Sequence, residues 1–431
     1  MRFDPVDRLA GELVSPPDKS ISHRAAIVGA MSDGRVRVRG YLRSSDTSAT
    51  LEAVAALGAR LVDAQPRGAG LDLELAGAGL RGADPGAAAI DVGNAGTLIR
   101  LLPGWLAGQP RGRWALQGDT SIARRPVDRV VHPLRRMGAS IDCREGGLPP
   151  VVVEGSDLHG IEYELPVASA QVKSCVLLAG LLADSETTVV EPLATRDHTE
   201  IMLRSAGVNV RREDGRVTVG PERRLELGEV DVPGDFSSAA FFIAASTVVP
   251  GSEVRLRGVG VNGTRTGFLR VLERMGGDVE VEEHATAGGE PAADLVVRSA
   301  RLRGTEVEPE EVPLAIDELP LVALLGAFAE GTTIVHGAEE LRRKESDRVM
   351  TVVEGLRGLG ARIEAAPDGF VVAGAGGLQG GRMNARGDHR IAMLGAVAGI
   401  ASRDGVEVEG FEAAAVSYPT FADDLRGLVT R

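Results

Sequence analysis

Lysine is scarce in this sequence, and the few lysines present are candidates for chemistry. Of the 48 basic residues only Lys19, Lys173 and Lys344 are lysines, and the others are arginines. An ammonium group can give up a proton when its surroundings favour this, whereas a guanidinium group stays charged. Chance explains any single lysine equally well. All three, however, lie in strings of hydroxyl, carboxylate and guanidinium groups, which favours a chemical role.

Two polar strings near the start of the chain have the composition of anion-binding segments. Lys19, Ser20 and Arg24 combine an ammonium, a hydroxyl and a guanidinium one turn further on. A surface loop that caps a helix would have a similar sequence. Gly93–Thr97 is Gly-Asn-Ala-Gly-Thr, which suits either a plain tight turn or a turn where a ligand approaches the backbone at Gly96.

Further polar residues precede helices in the first half of the chain. Arg125 precedes a proline, so it is predicted to be extended and suited to binding a carboxylate, with a solvated arginine as the alternative. Ser169 and Gln171 come just before an apolar helix, and Lys173 is expected to extend from its first turn to solvent. Arg196 opens the following helix.

The second half of the chain places acids beside cations. Asp317 and Glu318 precede an apolar helix, so one of them is predicted to cap it, and a capping carboxylate can also act as a base. The run from Lys344 to Arg348 is predicted to open an amphipathic helix with both cations on one face. Arg390 stands at another predicted helix start.

The elements that position these residues form a sixfold repeat. Each copy has an almost wholly apolar segment, a polar break and an alternating strand. The apolar segments predict buried helices over 21–31, 98–107, 172–183, 239–249, 319–329 and 391–401. Their predicted starts lie 68–80 residues apart, and each is a residue that caps helices: Ser20, Thr97, Ser169, Ser237, Asp317 and Asp388.

A second, amphipathic helix follows in each copy and ends in a hydrophobic residue and a glycine, as in Leu57-Gly58 and Leu359-Gly360. This glycine is predicted to form a left-handed helix end. The sixth copy ends in 421–429 with no strand after it, and 3–14 is expected to supply the missing strand. The alternation of helices and strands predicts an α/β fold.

The composition narrows the class of partner. The formal net charge is −13 and no polybasic run occurs, which argues against nucleic acid. No signal peptide or apolar run of ~18 residues is present, so we expect a cytoplasmic protein without a membrane partner. Two cysteines, Cys143 and Cys175, and seven scattered histidines predict no metal site. Helix N-termini would give this acidic protein a locally positive anion site.

Taken together, the polar strings resemble the 5-enolpyruvylshikimate-3-phosphate synthase (EPSP synthase) family. The nine matching strings are PDKSISHRA, GNAGT, RRPVDRV, SAQVKS, RDHTE, GD-x-SSAA, IDELP, KESDR and GDHRIAM. They occur in the family's order from about residue 15 to about residue 395. One string would be weak evidence, whereas nine in order are highly specific.

The resemblance implies two similar domains, each an inside-out α/β barrel of three repeats. The domains would be 1–17 with 233–431, and 18–232, joined by crossover strands near Pro16–Pro17 and Val232–Pro233. The implied reaction transfers the enolpyruvyl group of phosphoenolpyruvate to the 5-hydroxyl of shikimate 3-phosphate and releases phosphate, in aromatic amino acid biosynthesis. It implies no cofactor, inhibition by glyphosate at the phosphoenolpyruvate site, and a monomer.

The resemblance also implies roles for individual residues. Shikimate 3-phosphate would be held by Lys19, Ser20, Arg24, Ser169, Gln171, Arg196, Asp317 and Lys344. Phosphoenolpyruvate would be held by Lys19, Asn94, Gly96, Arg125, Gln171, Arg348 and Arg390. Asp317 would be the base on the attacking hydroxyl, while Glu345 and Lys19 would deliver a proton to the methylene carbon and later remove it.

Four positions depart from the commonest family pattern. Val416 stands where many members have lysine, which puts a phosphate contact there in doubt, and Glu340 stands where some have asparagine. Ala170 and Arg196 each stand where some members have serine. The sequence resembles the subgroup that has SAQ-x-KS and RDHTE.

Two alternative functions compete with this interpretation. The UDP-N-acetylglucosamine enolpyruvyl transferases carry a cysteine a few residues before their Arg-Pro, and 119–126 here contains none. A non-catalytic anion-binding scaffold is the second alternative. The presence of Asp317, Glu345 and Lys19 disfavours it, because binding alone needs no set of acids and bases.

Overall fold

The computed structural model describes residues 1–284, 286 and 288–430. Contacts divide the chain into two compact units. Unit 1 comprises Met1–Pro16, Pro233–Ala285 and Pro291–Arg431, and unit 2 comprises Pro17–Val232 and Thr286–Glu290. The chain therefore begins in unit 1, builds most of unit 2 and then returns to unit 1.

The first strands, β1 (Arg2–Phe3) and β2 (Arg8–Val14), belong to unit 1. Unit 2 follows with six helices: α1 (Lys19–Met31), α2 (Ser45–Ala56), α3 (Gly96–Ala107), α4 (Asp128–Arg136), α5 (Ala170–Gly180) and α6 (His198–Ser205). Its strands are β3 (Arg35–Leu42), β4 (Arg60–Arg67), β5 (Gly70–Ala76), β6 (Ala89–Asp91), β7 (Arg113–Gln117), β8 (Ser140–Arg144), β9 (Leu148–Glu154), β10 (Glu162–Glu164), β11 (Thr187–Val190), β12 (Arg211–Glu213), β13 (Arg216–Val219) and β14 (Glu229–Asp231).

Three four-stranded sheets of one design make up unit 2. Their strand orders are β14-β3-β5-β4, β6-β7-β9-β8 and β10-β11-β13-β12. In each, the first pair is parallel and the other two pairs are antiparallel. Helices α1, α3 and α5 are apolar on nearly all sides and are buried along most of their length, so they form the centre of the unit.

Unit 1 repeats this plan. Its helices are α7 (Phe236–Val248), α8 (Gly267–Arg274), α9 (Val312–Ala315), α10 (Leu319–Phe328), α11 (Arg348–Gly358), α12 (His389–Ala401) and α13 (Phe421–Gly427). Its remaining strands are β15 (Glu253–Gly260), β16 (Asp278–His284), β17 (Ala292–Arg298), β18 (Glu306–Val307), β19 (Thr332–Val335), β20 (Arg362–Ala366), β21 (Gly369–Ala373), β22 (Gly381–Asn384), β23 (Val406–Glu409) and β24 (Val429–Thr430). The sheets run β16-β17-β15-β2-β24, β18-β19-β21-β20 and β1-β23-β22, around buried α7, α10 and α12.

The predicted repeat is confirmed, with one correction at its end. All six apolar segments are buried helices, and the glycines that end the amphipathic helices have positive φ, for example +99° at Gly58 and +96° at Gly360. A strand does follow the sixth amphipathic helix, contrary to the prediction. It is β24, too short to show an alternating pattern, and it pairs with β2, while β1 pairs with β23.

The predicted helix caps are right at two of six starts. Ser169 caps α5 and Asp388 caps α12 through side-chain hydrogen bonds. At α1 and α7 the cap is an aspartate two residues earlier than predicted, Asp18 and Asp235, because each helix begins sooner. No side chain caps α3 or α10, so the predicted caps Thr97 and Asp317 are wrong. Their side chains hydrogen-bond or ion-pair elsewhere.

In the part of the chain that the structure describes, no helix combines the length and apolar character needed to cross a membrane. Within the same residues, no group of three or more His, Cys, Asp or Glu side chains is arranged to hold a metal ion.

Candidate active site

The first turn of α1 presents two of the predicted ligands. Asp18 accepts a hydrogen bond from the backbone N–H of Ile21, which leaves Lys19 and Ser20 in the first turn. Lys19 Nζ lies 3.1 Å from the carboxylate of Asp46. The Lys19 side chain keeps 26% of its surface exposed, whereas that of Asp46 keeps 6%, so the ammonium group remains accessible to a ligand.

Arg24, one turn further along α1, is buried among oxygen atoms that carry no charge. Its Nε donates to Thr199 Oγ1 at 2.8 Å, its Nη2 to Ser174 Oγ at 3.0 Å and its Nη1 to the Ser20 carbonyl at 3.0 Å. Burial lowers the pKa of Arg24 to about 10, which still leaves it protonated at neutral pH. The neighbouring His23 is neutral, because burial, Lys19 and Arg24 lower its pKa to about 3.

The second helix start brings Gly96 and Arg125 together. Gly96 is the first residue of α3, and a Cβ atom there would lie 3.2 Å from Arg125 Nη1 and 3.1 Å from Arg100 Nη1. Arg125 has the extended conformation expected before proline, with φ −92° and ψ 122°. The glycine therefore makes room for the guanidinium group beside the helix start.

Asn94, in the turn before α3, is held by a carboxylate. Its Nδ2 donates to Asp119 Oδ2 at 2.7 Å. Burial raises the pKa of Asp119, but hydrogen bonds from Asn94 and from the N–H groups of Ser121 and Ile122 outweigh it, so the net shift is downward. Asn94, in the turn before α3, is therefore held by an ionised carboxylate.

The third helix start contacts the second. Gln171 Nε2 donates to Thr97 Oγ1 at 3.2 Å, and Ser169 Oγ accepts from the backbone N–H of Val172. Arg196 lies in the loop that joins β11 to α6. Apart from Arg24, which lies one turn into α1, the predicted ligands of unit 2 thus stand at helix starts or in the loops before helices.

The prediction for Lys173 is wrong. Its side chain does not reach solvent but is completely buried, with Nζ 2.9 Å from Glu191 Oε1 and 2.6 Å from Glu200 Oε1. Two carboxylates stabilise the ammonium group inside the unit, and so burial costs less than it would for a lone charge. The glutamates lie 18 and 27 residues further along the chain, a distance over which local patterns say nothing.

Asp317 is the centre of the site in unit 1. Its Oδ1 lies 3.2 Å from Arg348 Nη1 and 3.5 Å from Lys344 Nζ, and its Oδ2 lies 3.5 Å from Arg390 Nη2. The structure therefore gathers these predicted ligands on one carboxylate. The prediction that Lys344 and Arg348 share a helix face is wrong, because α11 begins only at Arg348 and Lys344 lies in the preceding loop.

Arg348 is the most enclosed of these cations. It is 1% exposed and contacts Glu345, Asp388 and Asp317. Burial alone would lower the pKa of Arg348, but the three carboxylates raise it above its usual value. Arg348 in turn holds the pKa of Asp388 below its usual value, although burial works in the opposite direction. Arg348 and Asp388 are therefore both charged.

Two residues that were not predicted from the sequence to belong to the site, Glu318 and Arg265, lie near Arg390. Glu318 Oε1 lies 3.8 Å from Arg390 Nη1 and 3.6 Å from Arg265 Nη1, and Arg265 Nη2 donates to Ser237 Oγ at 2.8 Å. Glu318 was considered only as a helix cap. A lone arginine in a polar loop, such as Arg265, carries no sequence signal that separates it from solvated arginines.

The three candidate proton carriers differ in accessibility. The side chains of Glu345 and Lys19 are 28% and 26% exposed, while that of Asp317 is 10% exposed. A general acid or base has to lie within hydrogen-bond reach of a bound substrate. Each of the three combines a charged partner that fixes its position with surface open to a ligand.

The chain is similar to known proteins over almost its whole length. A family model described as EPSP synthase (3-phosphoshikimate 1-carboxyvinyltransferase) matches residues 3–425. The chain is 47% identical over 420 residues to a 3-phosphoshikimate 1-carboxyvinyltransferase of Alkalilimnicola ehrlichii, covering 97% of this chain and 93% of that one. It is 46% identical over 425 residues to that of Methylococcus capsulatus, covering 98% and 96%. The structure of EPSP synthase from Acinetobacter baumannii is similar, with a TM-score of 0.88, 40% identity and coverage of 99% and 98%.

Proposed function

Because the chain belongs to the EPSP synthase family, we propose a role for each charged and polar residue at its helix starts. The protein is a transferase that moves the enolpyruvyl group of phosphoenolpyruvate to the 5-hydroxyl of shikimate 3-phosphate and releases phosphate. The observation that supports the residue roles is the cluster around Asp317. One carboxylate lies close to three cations there, and the partly exposed Glu345 contacts one of them, Arg348.

Shikimate 3-phosphate is held in this proposal by hydroxyl, amide and guanidinium groups of unit 2. Arg24 and Arg196 supply positive charge for this anionic ligand, since guanidinium groups bind phosphate and carboxylate oxygens in pairs. The remaining ligands are Lys19, Ser20, Ser169 and Gln171 of unit 2, with Asp317 and Lys344 of unit 1.

Phosphoenolpyruvate carries a phosphate and a carboxylate, and its proposed ligands are mainly cations. Arg125 approaches the backbone at Gly96, so both can contact one ligand. Arg348 and Arg390 are fixed by carboxylates and therefore lose little conformational freedom on binding. The full proposed set is Lys19, Asn94, Gly96, Arg125, Gln171, Arg348 and Arg390.

The reaction needs three proton movements besides the transfer itself. The 5-hydroxyl oxygen bonds to the central carbon of phosphoenolpyruvate while its proton goes to a base, and a proton is added to the methylene carbon. Loss of phosphate with a proton from the new methyl group then restores the double bond. We assign Asp317 as the base for the hydroxyl, and Glu345 and Lys19 as the groups that give and take the carbon-bound proton.

Phosphate release from the two purified substrates tests the function directly. The purified protein should release phosphate only when both phosphoenolpyruvate and shikimate 3-phosphate are present. Release with UDP-N-acetylglucosamine in place of shikimate 3-phosphate would favour the alternative transferase. Binding of both substrates without release would favour a scaffold.

The location and assembly of the protein are part of the same proposal. We assign it to the cytoplasm, where it would act as a monomer on two small molecules without a cofactor. Light scattering of the purified protein tests the monomer: a mass close to the 45.0 kDa of the chain is expected, and twice that mass would contradict it.

A further inference from the structure

One buried group of charges in unit 2 has no role in the proposed chemistry. Lys173 contacts Glu191 and Glu200, and all three side chains are 0–1% exposed. Burying three charges is costly, even though the pairing recovers part of the cost. Packed apolar residues of similar volume would stabilise this position at least as well. What the group contacts on its outer side is therefore informative.

Its first contact is the loop that carries Arg196. Glu191 Oε1 accepts hydrogen bonds from both the N–H and the hydroxyl of Thr195, and Lys173 Nζ donates to the Thr195 carbonyl at 3.4 Å. On the other side of Arg196, Asp197 lies 3.5 Å from Arg212, which also lies 3.5 Å from Glu191. The residues before and after Arg196 are thus both fixed by this one network.

On another side, the neighbours of the group in the chain bind Arg24. Ser174, the residue after Lys173, accepts a hydrogen bond from Arg24, and so does Thr199, the residue before Glu200. Among the charges that oppose the effect of burial on the pKa of Arg24, that of Glu200 is the largest. On α5 and on α6, the residue that forms the Lys173–Glu200 ion pair is therefore adjacent in sequence to a residue that accepts a hydrogen bond from Arg24.

We propose that Lys173, Glu191 and Glu200 form a positioning set that fixes Arg24 and Arg196 for binding shikimate 3-phosphate. The set itself does not touch substrate. It acts by holding two guanidinium groups that come from α1 and from the loop before α6, because without it the loop could take many conformations. This proposal rests on the proposed function of the site.

The change Lys173→Met tests the proposal, because methionine keeps much of the side-chain length and removes the charge. We expect the KM for shikimate 3-phosphate to rise about 10- to 100-fold, as misplaced binding groups do. The KM for phosphoenolpyruvate should change by less than about twofold, because Arg125, Arg348 and Arg390 are held by other residues. Leu182→Ala, in the turn just after the C-terminal end of α5 and against Gly108, serves as a control that destabilises without touching the loop.

A double variant separates positioning from simple stabilisation. Lys173→Met with Glu200→Gln removes opposite charges together, so thermal stability should recover relative to Lys173→Met alone. The KM for shikimate 3-phosphate should nevertheless stay raised, because the loop and Arg24 still lack their support. If KM returns to the wild-type value together with stability, the group is only structural and the proposal is overturned.

A milder variant keeps the test decisive if Lys173→Met does not fold. Thr195→Val removes one hydroxyl from the network and no charge, and we expect a rise of about threefold to tenfold in the same KM. An active Thr195→Val protein with unchanged KM values would refute the positioning role alone. A folded wild-type protein that releases no phosphate from the two substrates would refute the proposed function itself, and this proposal with it.

Discussion

Two buried arginines, Arg24 of unit 2 and Arg348 of unit 1, have different kinds of hydrogen-bond partner. In unit 2, Arg24 donates to two hydroxyls and a carbonyl, and Arg125 donates to the hydroxyl of Ser121 at 3.0 Å. In unit 1, Arg348 is surrounded by the carboxylates of Asp317, Glu345 and Asp388. A buried arginine is therefore hydrogen-bonded by neutral oxygens in the case of Arg24 and by carboxylates in the case of Arg348.

This difference separates binding from proton transfer. A guanidinium group held by neutral oxygens keeps its positive charge for a phosphate, which suits a binding role. Carboxylates held around a cation change their proton affinity whenever a neighbour moves or a substrate arrives, which suits acids and bases. We therefore expect variants of Asp317 and Glu345 to affect turnover and variants of Arg24 to affect affinity.

The largest expected effect is that of Glu345→Gln. Glutamine keeps the shape and one hydrogen-bonding oxygen towards Arg348 but cannot transfer a proton. Turnover should fall roughly 10²- to 10⁴-fold, with little change in the affinity for phosphoenolpyruvate. Steady-state kinetics and a direct binding titration give both numbers. Equal losses of kcat and of affinity would make Glu345 a binding residue and would weaken the contrast between the units.

A matched pair of arginine variants tests the difference in partners through stability. Arg348→Met leaves buried Asp388 without its main cation, and the free energy of unfolding should fall by ~3–5 kcal/mol. Arg24→Met leaves Ser174 and Thr199, which already hydrogen-bond each other at 2.6 Å. The loss there should be ~1–2 kcal/mol. Urea unfolding followed by circular dichroism measures both, and equal losses would contradict the contrast.

The same contrast predicts an acid-sensitive unit 1. The pKa of Asp388 is lower in the folded protein than its unfolded value of 3.8, chiefly through Arg348 acting against burial. Its stabilising contribution is therefore complete above the unfolded pKa and is lost as pH falls through the folded pKa. As the pH falls from about 5 to about 3, the free energy of unfolding of the wild type should decrease. The decrease should be less steep for Asp388→Asn. Parallel pH profiles would exclude a contribution from Asp388.

The sequence predicted the fold of this molecule better than the contacts inside its site. Six apolar runs such as 239–249 can only be buried helices, and a glycine such as Gly58 ends a helix by its own conformational freedom. These are local properties. The cap of α1 was predicted to be Ser20, whereas it is Asp18, two residues earlier. Serine and aspartate are equally good capping residues, so local sequence does not distinguish them.

The contacts of the site depend on residues that lie far apart in the chain. Asp317 and Arg348 were predicted as ligands, but their ion pair joins residues 31 positions apart. Lys173 was expected at the surface because its partners come from a later loop and helix, and Arg265 had no distinguishing neighbour. Long-range pairing of this kind needs either a family resemblance or a structure.

The smallest expected effect concerns Gly96, which we propose contacts a ligand through its backbone rather than through charge. A methyl group at this position would lie 3.1–3.2 Å from Arg100 and Arg125, so both guanidinium groups would have to shift by a few tenths of an ångström. We expect the protein to be inhibited by glyphosate competitively with phosphoenolpyruvate. Gly96→Ala should then weaken binding of the longer inhibitor by ~1 kcal/mol, about fivefold, and that of the substrate less. Inhibition kinetics at varied phosphoenolpyruvate measure both constants, and equal rises would show that the added methyl group acts only by displacing Arg125.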